Sequence, residues 1–181
     1  MRIHGMMCLL LSVSGIACAS SQADQVRDAR MEQIDAQTVA RTRVIEERQD
    51  AREEAIEQNY DSAKTNVDNS KRGDKDAAQN MLETSEERAL FQSKSVGRLE
   101  TIRVRMDAAR KKLEMAEPAR RQQLSRELDA VEKEYQHMQQ EVQAFPNAPE
   151  ENWQASMEAL DSQLTHLNTR VKSVTGFIEG E

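Results

Sequence analysis

The sequence predicts an all-α protein whose long helices form an elongated coiled-coil helical hairpin or bundle. Three observations predict it. Aromatic residues make up 3% of the 181 residues, and there are only 6 Gly and 3 Pro, too few for the turns and bulky cores of β or α/β folds. Helix formers such as Glu, Gln, Ala, Arg, Lys, Met and Leu dominate. Apolar residues recur three and four apart through the second half of the chain, which is coiled-coil spacing and argues against disorder.

The elements follow in order. Arg2 and the free amine precede an apolar run from Met6 to Ala17 that ends in small residues. That is the grammar of an export signal, so residues 1–17 are expected to be a signal peptide. The run is too short for a transmembrane helix, which needs about 20 residues. Residues 18–25 read as a polar tether. Residues 26–72 read as one long polar helix, free of Gly and Pro from Asp24 to Asn69. Its sparse apolar positions are Val26, Met31, Ile34, Val39, Ile45, Ile56, Tyr60 and Val67, with alanines expected to fill much of the buried face. Ser70 to Asp74 reads as a stop, a turn and a new N-cap.

Residues 74–145 are expected to form a helical hairpin. Leu99, Ile102, Met106, Ala109, Leu113 and Ala116 make the seam of its first arm, continued upstream through Leu82, Ala89 and Val96. Glu117-Pro118 interrupts it, since proline disfavours helix at the residue before it and suits the first turn after it. The second arm carries Leu124, Leu128, Val131, Tyr135, Met138, Val142 and Phe145. The expected seam positions between the arms, Glu117 and Arg120, are charged, which favours a hairpin over one kinked rod. After the Pro146/Pro149 break comes a C-terminal heptad helix over 150–181. Its seam is Trp153, Met157, Leu160, Leu164, Leu167, Val171, Val174 and Ile178. Ordering a lone helix loses more than its seam recovers. This interaction seam therefore needs either the hairpin or a second copy of the chain. No repeat beyond the heptad is evident.

Chemistry is hard to find. The net charge is −7 and basic residues are interleaved with acids, unlike the basic surface that nucleic acid requires. His137 and His166 stand apart from any Cys, without zinc spacing. The Glu46-Glu47, Glu53-Glu54 and Glu86-Glu87 pairs lie in charged stretches, not in the apolar pocket that an acid/base pair needs. No phosphate loop or nucleophile elbow occurs. The expectations are no catalytic residue, no metal, no cofactor and no small-molecule substrate. Trp153 and Met157 read as a core knob, with an exposed docking spot as the alternative.

Both cysteines, Cys8 and Cys18, lie at the N-terminus, so the later helices have no disulfide. The stretch Ser14-Gly15-Ile16-Ala17-Cys18 resembles the lipobox of bacterial lipoproteins, with Gly15 where an aliphatic residue is usual. The resemblance covers only the first twenty residues. It implies a lipidated Cys18 as the mature N-terminus and membrane attachment through the lipid anchor. Ala19 and Ser20, in place of Asp after the cysteine, imply outer-membrane delivery facing the periplasm. The expected role is then a non-catalytic envelope lipoprotein. It would serve as a coiled-coil scaffold, tether or docking partner for another envelope protein or a second copy of itself. The alternative is cleavage after Ala19 to release a soluble periplasmic holdase-type chaperone.

Overall fold

The computed structural model describes residues 14–68 and 75–179. Among them there are four long helices and no strand: α1 (Ser14–Asp68), α2 (Lys75–Leu113), α3 (Pro118–Ala144) and α4 (Trp153–Glu179). Two 3-10 turns, Phe145–Asn147 and Glu150–Asn152, join α3 to α4. The expected signal peptide falls largely outside the described residues. So does the turn expected at residues 70–74.

α2, α3 and α4 pack pairwise, while α1 packs on α2 alone. Side-chain pairs give the directions. Arg98 meets Asp161 and Thr165, and Arg105 meets Asn168, so α2 and α4 run parallel. Arg110 with Glu132, and Arg170 with Glu134, set α3 antiparallel to both. The hairpin is real, and α4 lies back along it to complete an up-down-up three-helix bundle. Its core joins Leu99, Ile102, Met106 and Ala109 of α2 to the α3 seam from Leu124 to Phe145 and to the α4 seam. Each buried aliphatic side chain contributes about 1.5–3 kcal/mol.

Local chemistry fixes the turns. Pro118 opens α3 behind an extended Glu117. Arg121 donates to the carbonyls of Glu114 and Ala116, which have no helical partners at the end of α2. Arg110, Lys111 and Lys112 in the last turn of α2 complement its dipole. At the other end Phe145 stacks on Phe91 at 4.8 Å. Arg88 lies over the Trp153 ring at 5.4 Å and donates to the Ala148 carbonyl.

Two upstream readings need correction. Above Leu99 the α2 seam continues through Val96, as expected, and through Ser95 and Phe91; Leu82 and Ala89, though half-buried, are not part of the core cluster. Ser95 is buried without a hydrogen-bond partner, and its polarity interrupts the apolar pattern. α1 begins at Ser14, so residues 18–25 are helical where a tether was expected. Nothing between them and Asp68 is a helix breaker.

α1 also repeats every 11 residues, a period the heptad reading missed. Ile34, Ile45, Ile56 and Val67 occupy one position of it, and Thr38, Gln49 and Tyr60 another; all are buried or half-buried. Ala29, Ala40 and Ala51, each followed by Arg, mark the same period and lie on the exposed side. The alanines therefore do not fill the buried face. Val26 and Val39 are both 69% exposed. Eleven residues in three turns is 3.67 per turn, nearly the period of a straight helix.

Arg52 with Glu100, and Glu53 with Lys94, set α1 antiparallel to α2. Asp35 pairs with Lys112, one residue from the end of α2. Residues 14–33 therefore reach past α2 as an arm about 30 Å long. The described side chains from Gln22 to Arg30 on it are all exposed.

Leu164 has no exposed area. Leu164→Asp should lower unfolding stability by roughly 3–5 kcal/mol. Urea denaturation followed by circular dichroism measures this, and an unchanged midpoint would mean that the α4 seam is not the core.

Candidate interaction surfaces

Residues expected from sequence to carry interactions fall into three places. Cys18 lies in the first part of α1, on the arm. The side chains of residues 14–21 are not described, so its position is that of the backbone. About 16 residues, some 24 Å of helix, separate it from Ile34, where α1 meets the end of α2.

The α4 seam is engaged within the chain. Trp153, Leu160, Leu164, Leu167, Val171, Val174 and Ile178 are buried in the core shared with α2 and α3, and Met157 packs against it half-buried. Of the two partners considered for this seam, the hairpin occupies it. Trp153 is thus a core knob, with its indole face under the Arg88 guanidinium.

The histidines come together although far apart in sequence. His137 of α3 and His166 of α4 are exposed and line one hollow of about 400 Å³. Glu134, Met138 and Gln163 share it, and His137 Nδ1 lies 3.6 Å from Glu141. Antiparallel packing of α3 on α4 brings them level. Among the described residues no group of three or more His, Cys, Asp or Glu is placed to hold a metal ion.

The α1–α2 interface is where sequence reasoning missed most. It is small and polar. Gly97 lies so close to α1 that an added Cβ would fall 2.2 Å from the Gln49 side-chain oxygen. Ser93, Gly97, Ala108 and Lys112 are all buried. The Lys112 side chain is 1% exposed, while its partner Asp35 is 57% exposed. A buried ammonium needs a fixed anion, so this pair pins the register of α1 at the end where the arm departs. The signal available in sequence was Lys112 alternating with the apolar seam at Ala109 and Leu113, and it reads equally as a solvated lysine.

The opposite end of the α1–α2 hairpin is acidic. Glu86 of α2 is held above its ordinary carboxylate value of 4.5, first by burial and then by Glu57, Asp61 and Glu87, with Lys64 opposing. Tyr135 is likewise raised by burial, and Arg103 opposes that shift. A second hollow, of about 470 Å³, runs along the α1–α2 seam. Val44, Ile45 and Val104 form its floor, and charged side chains from both helices, among them Arg41, Arg48 and Arg103, share its lining.

No described helix is long and apolar enough to cross a membrane. Comparison with protein-family models, curated proteins and solved structures gives no significant match. The functional reading therefore rests on the residues themselves.

Two outcomes are expected. Asp35→Ala should lower stability by about 1 kcal/mol, a value discounted for the exposure of that carboxylate. Lys112→Met, which keeps the volume and removes the charge, should leave stability unchanged or raise it. Chemical denaturation of both variants measures this. The second outcome concerns pH. The folded chain binds the Glu86 proton more tightly than the unfolded chain. Its penalty is therefore absent below about pH 4.5 and grows as pH rises through the raised value. On acidification from neutral pH to below about pH 4.5 at low salt, the native chain should gain stability relative to Glu86→Gln. Parallel pH dependence of the two melting temperatures would contradict this.

Proposed function

We propose that the chain is an outer-membrane lipoprotein that acts as a non-catalytic helical scaffold or spacer in the periplasm. In this reading, residues 1–17 are a signal, Cys18 carries the lipid, and the arm holds the bundle off the membrane. The observation that carries it is the placement of Cys18. The lipobox-like cysteine stands on a helical arm whose described side chains, Gln22 to Arg30, are exposed, about 24 Å of helix before Ile34, the first buried residue of α1. An anchor there leaves the whole bundle accessible. Two or more acyl chains give stable attachment, at about 0.8 kcal/mol per buried methylene.

The architecture supports a spacer in a second way. The heptad seams are consumed in holding three helices together, so the chain is a preformed rod. The partner is proposed to be another envelope protein or a second copy. A soluble holdase would require long Met- and Leu-lined grooves. Those side chains are largely in the core, and the exposed Met81 and Phe177 stand far apart at opposite ends of the bundle.

Intact mass of the protein from the membrane fraction, beside Cys18→Ala, tests the anchor. A mature start at Cys18 with added acyl mass, lost in the variant, is expected. A start at Ser20 with no added mass would refute lipidation and bring the soluble periplasmic reading forward.

A further inference from the structure

Packing of α3 on α4 builds a feature that neither helix carries alone. Arg170 pairs with Glu134, and the two helices run antiparallel, so each step along α3 is a step back along α4. Counted from that pair, residue 137 stands level with residue 167, and 138 with 166. His137 and Met138 of α3 thus meet His166 and Leu167 of α4 around one hollow of about 400 Å³. Both histidines are exposed at its rim, while Met138 and Leu167, which belong to the core, close its floor. Packed helices stand about 8–10 Å apart, a gap that two imidazoles from facing helices can bridge through a single ion.

The carboxylates nearby are already engaged. Glu134 accepts from Arg170, and Glu141 faces His137 Nδ1 at 3.6 Å. Glu141 also sets the role of His137. It draws the imidazole proton to Nδ1 and leaves the Nε2 lone pair for a ligand, as carboxylate partners do for metal-bound histidines. The groups left to face the hollow are two imidazoles and a thioether, beside the neutral Ser162 and Gln163.

We propose that His137, His166 and the Met138 thioether bind a Cu(I) ion. Imidazole and thioether are the softer ligands, and they select copper over magnesium, calcium or manganese. Structural zinc sites take four ligands rich in thiolate, and no cysteine stands here. The set carries no charge, so a monovalent ion leaves less charge uncompensated against the apolar floor than a divalent one. The flexible methionine stem lets its sulfur turn to the hollow without movement of α3. The site exists only where α3 and α4 are packed, so the ion clamps the two helices together.

The test uses the chain from residue 18 onward with Cys18→Ser, so that no thiol competes for copper. It is independent of whether the native protein is acylated. Anaerobic titration with Cu(I) against bicinchoninate should show one ion bound per chain, and the ion should raise the melting temperature. His137→Ala and His166→Ala should each abolish both effects. Met138→Leu, which preserves core volume, and Glu141→Gln should each weaken Cu(I) binding by about tenfold. Circular dichroism of each metal-free variant checks that it is folded. Absence of Cu(I) binding in the competition would overturn the proposal. So would copper binding that survives the loss of either histidine, native affinity in Met138→Leu, or tighter binding of Zn(II) than of Cu(I).

Discussion

The burial of Leu99, Ile102, Met106 and Ala109 of α2 between the seams of α3 and α4 is the contact on which the remaining structure depends. α2 is the helix that all the others touch. Its core-facing residues follow three-four spacing, which winds slowly around the helix. Its α1-facing residues do something else. Ser93 and Val104 are 11 apart, as are Gly97 and Ala108. One helix thus presents a heptad face to the bundle and an 11-residue face to α1, whose own Ile34, Ile45 and Ile56 keep the same period. A nearly straight α1 can follow a straight strip of α2 over a long distance, with no need to supercoil around the bundle.

The two faces are held by different physics. Ordering a residue costs about 1–2 kcal/mol, and the three-helix core offsets this with large apolar side chains at every turn. α1 offers one isoleucine in every three turns. Close approach at Gly97, ion pairs at Glu53 and Arg52, and the Lys112–Asp35 pair make up part of the difference. The exposed pairs at Glu53 and Arg52 contribute little each. α1 is therefore the element whose hold on the bundle is weakest, and the one best placed to gain from further contact.

How much of this was legible follows from the same contrast. The seams of α3 and α4, from Leu124 to Ile178, could be read because every inward position carries a large apolar residue. The bundle, its hairpin and the breaks at Pro118 and Pro146 follow from them. α1 was harder to read because Thr42, Gln49 and Glu53 occupy half-buried positions that look solvated, while its exposed valines look like core. A heptad template is also the wrong ruler for an 11-residue repeat. Ser95 and Lys112 were illegible for a different reason. Each is a polar residue buried by a neighbour whose approach depends on the rest of the fold. Cys18 was legible as a motif, but its distance from the bundle needed the length of α1 and its register on α2.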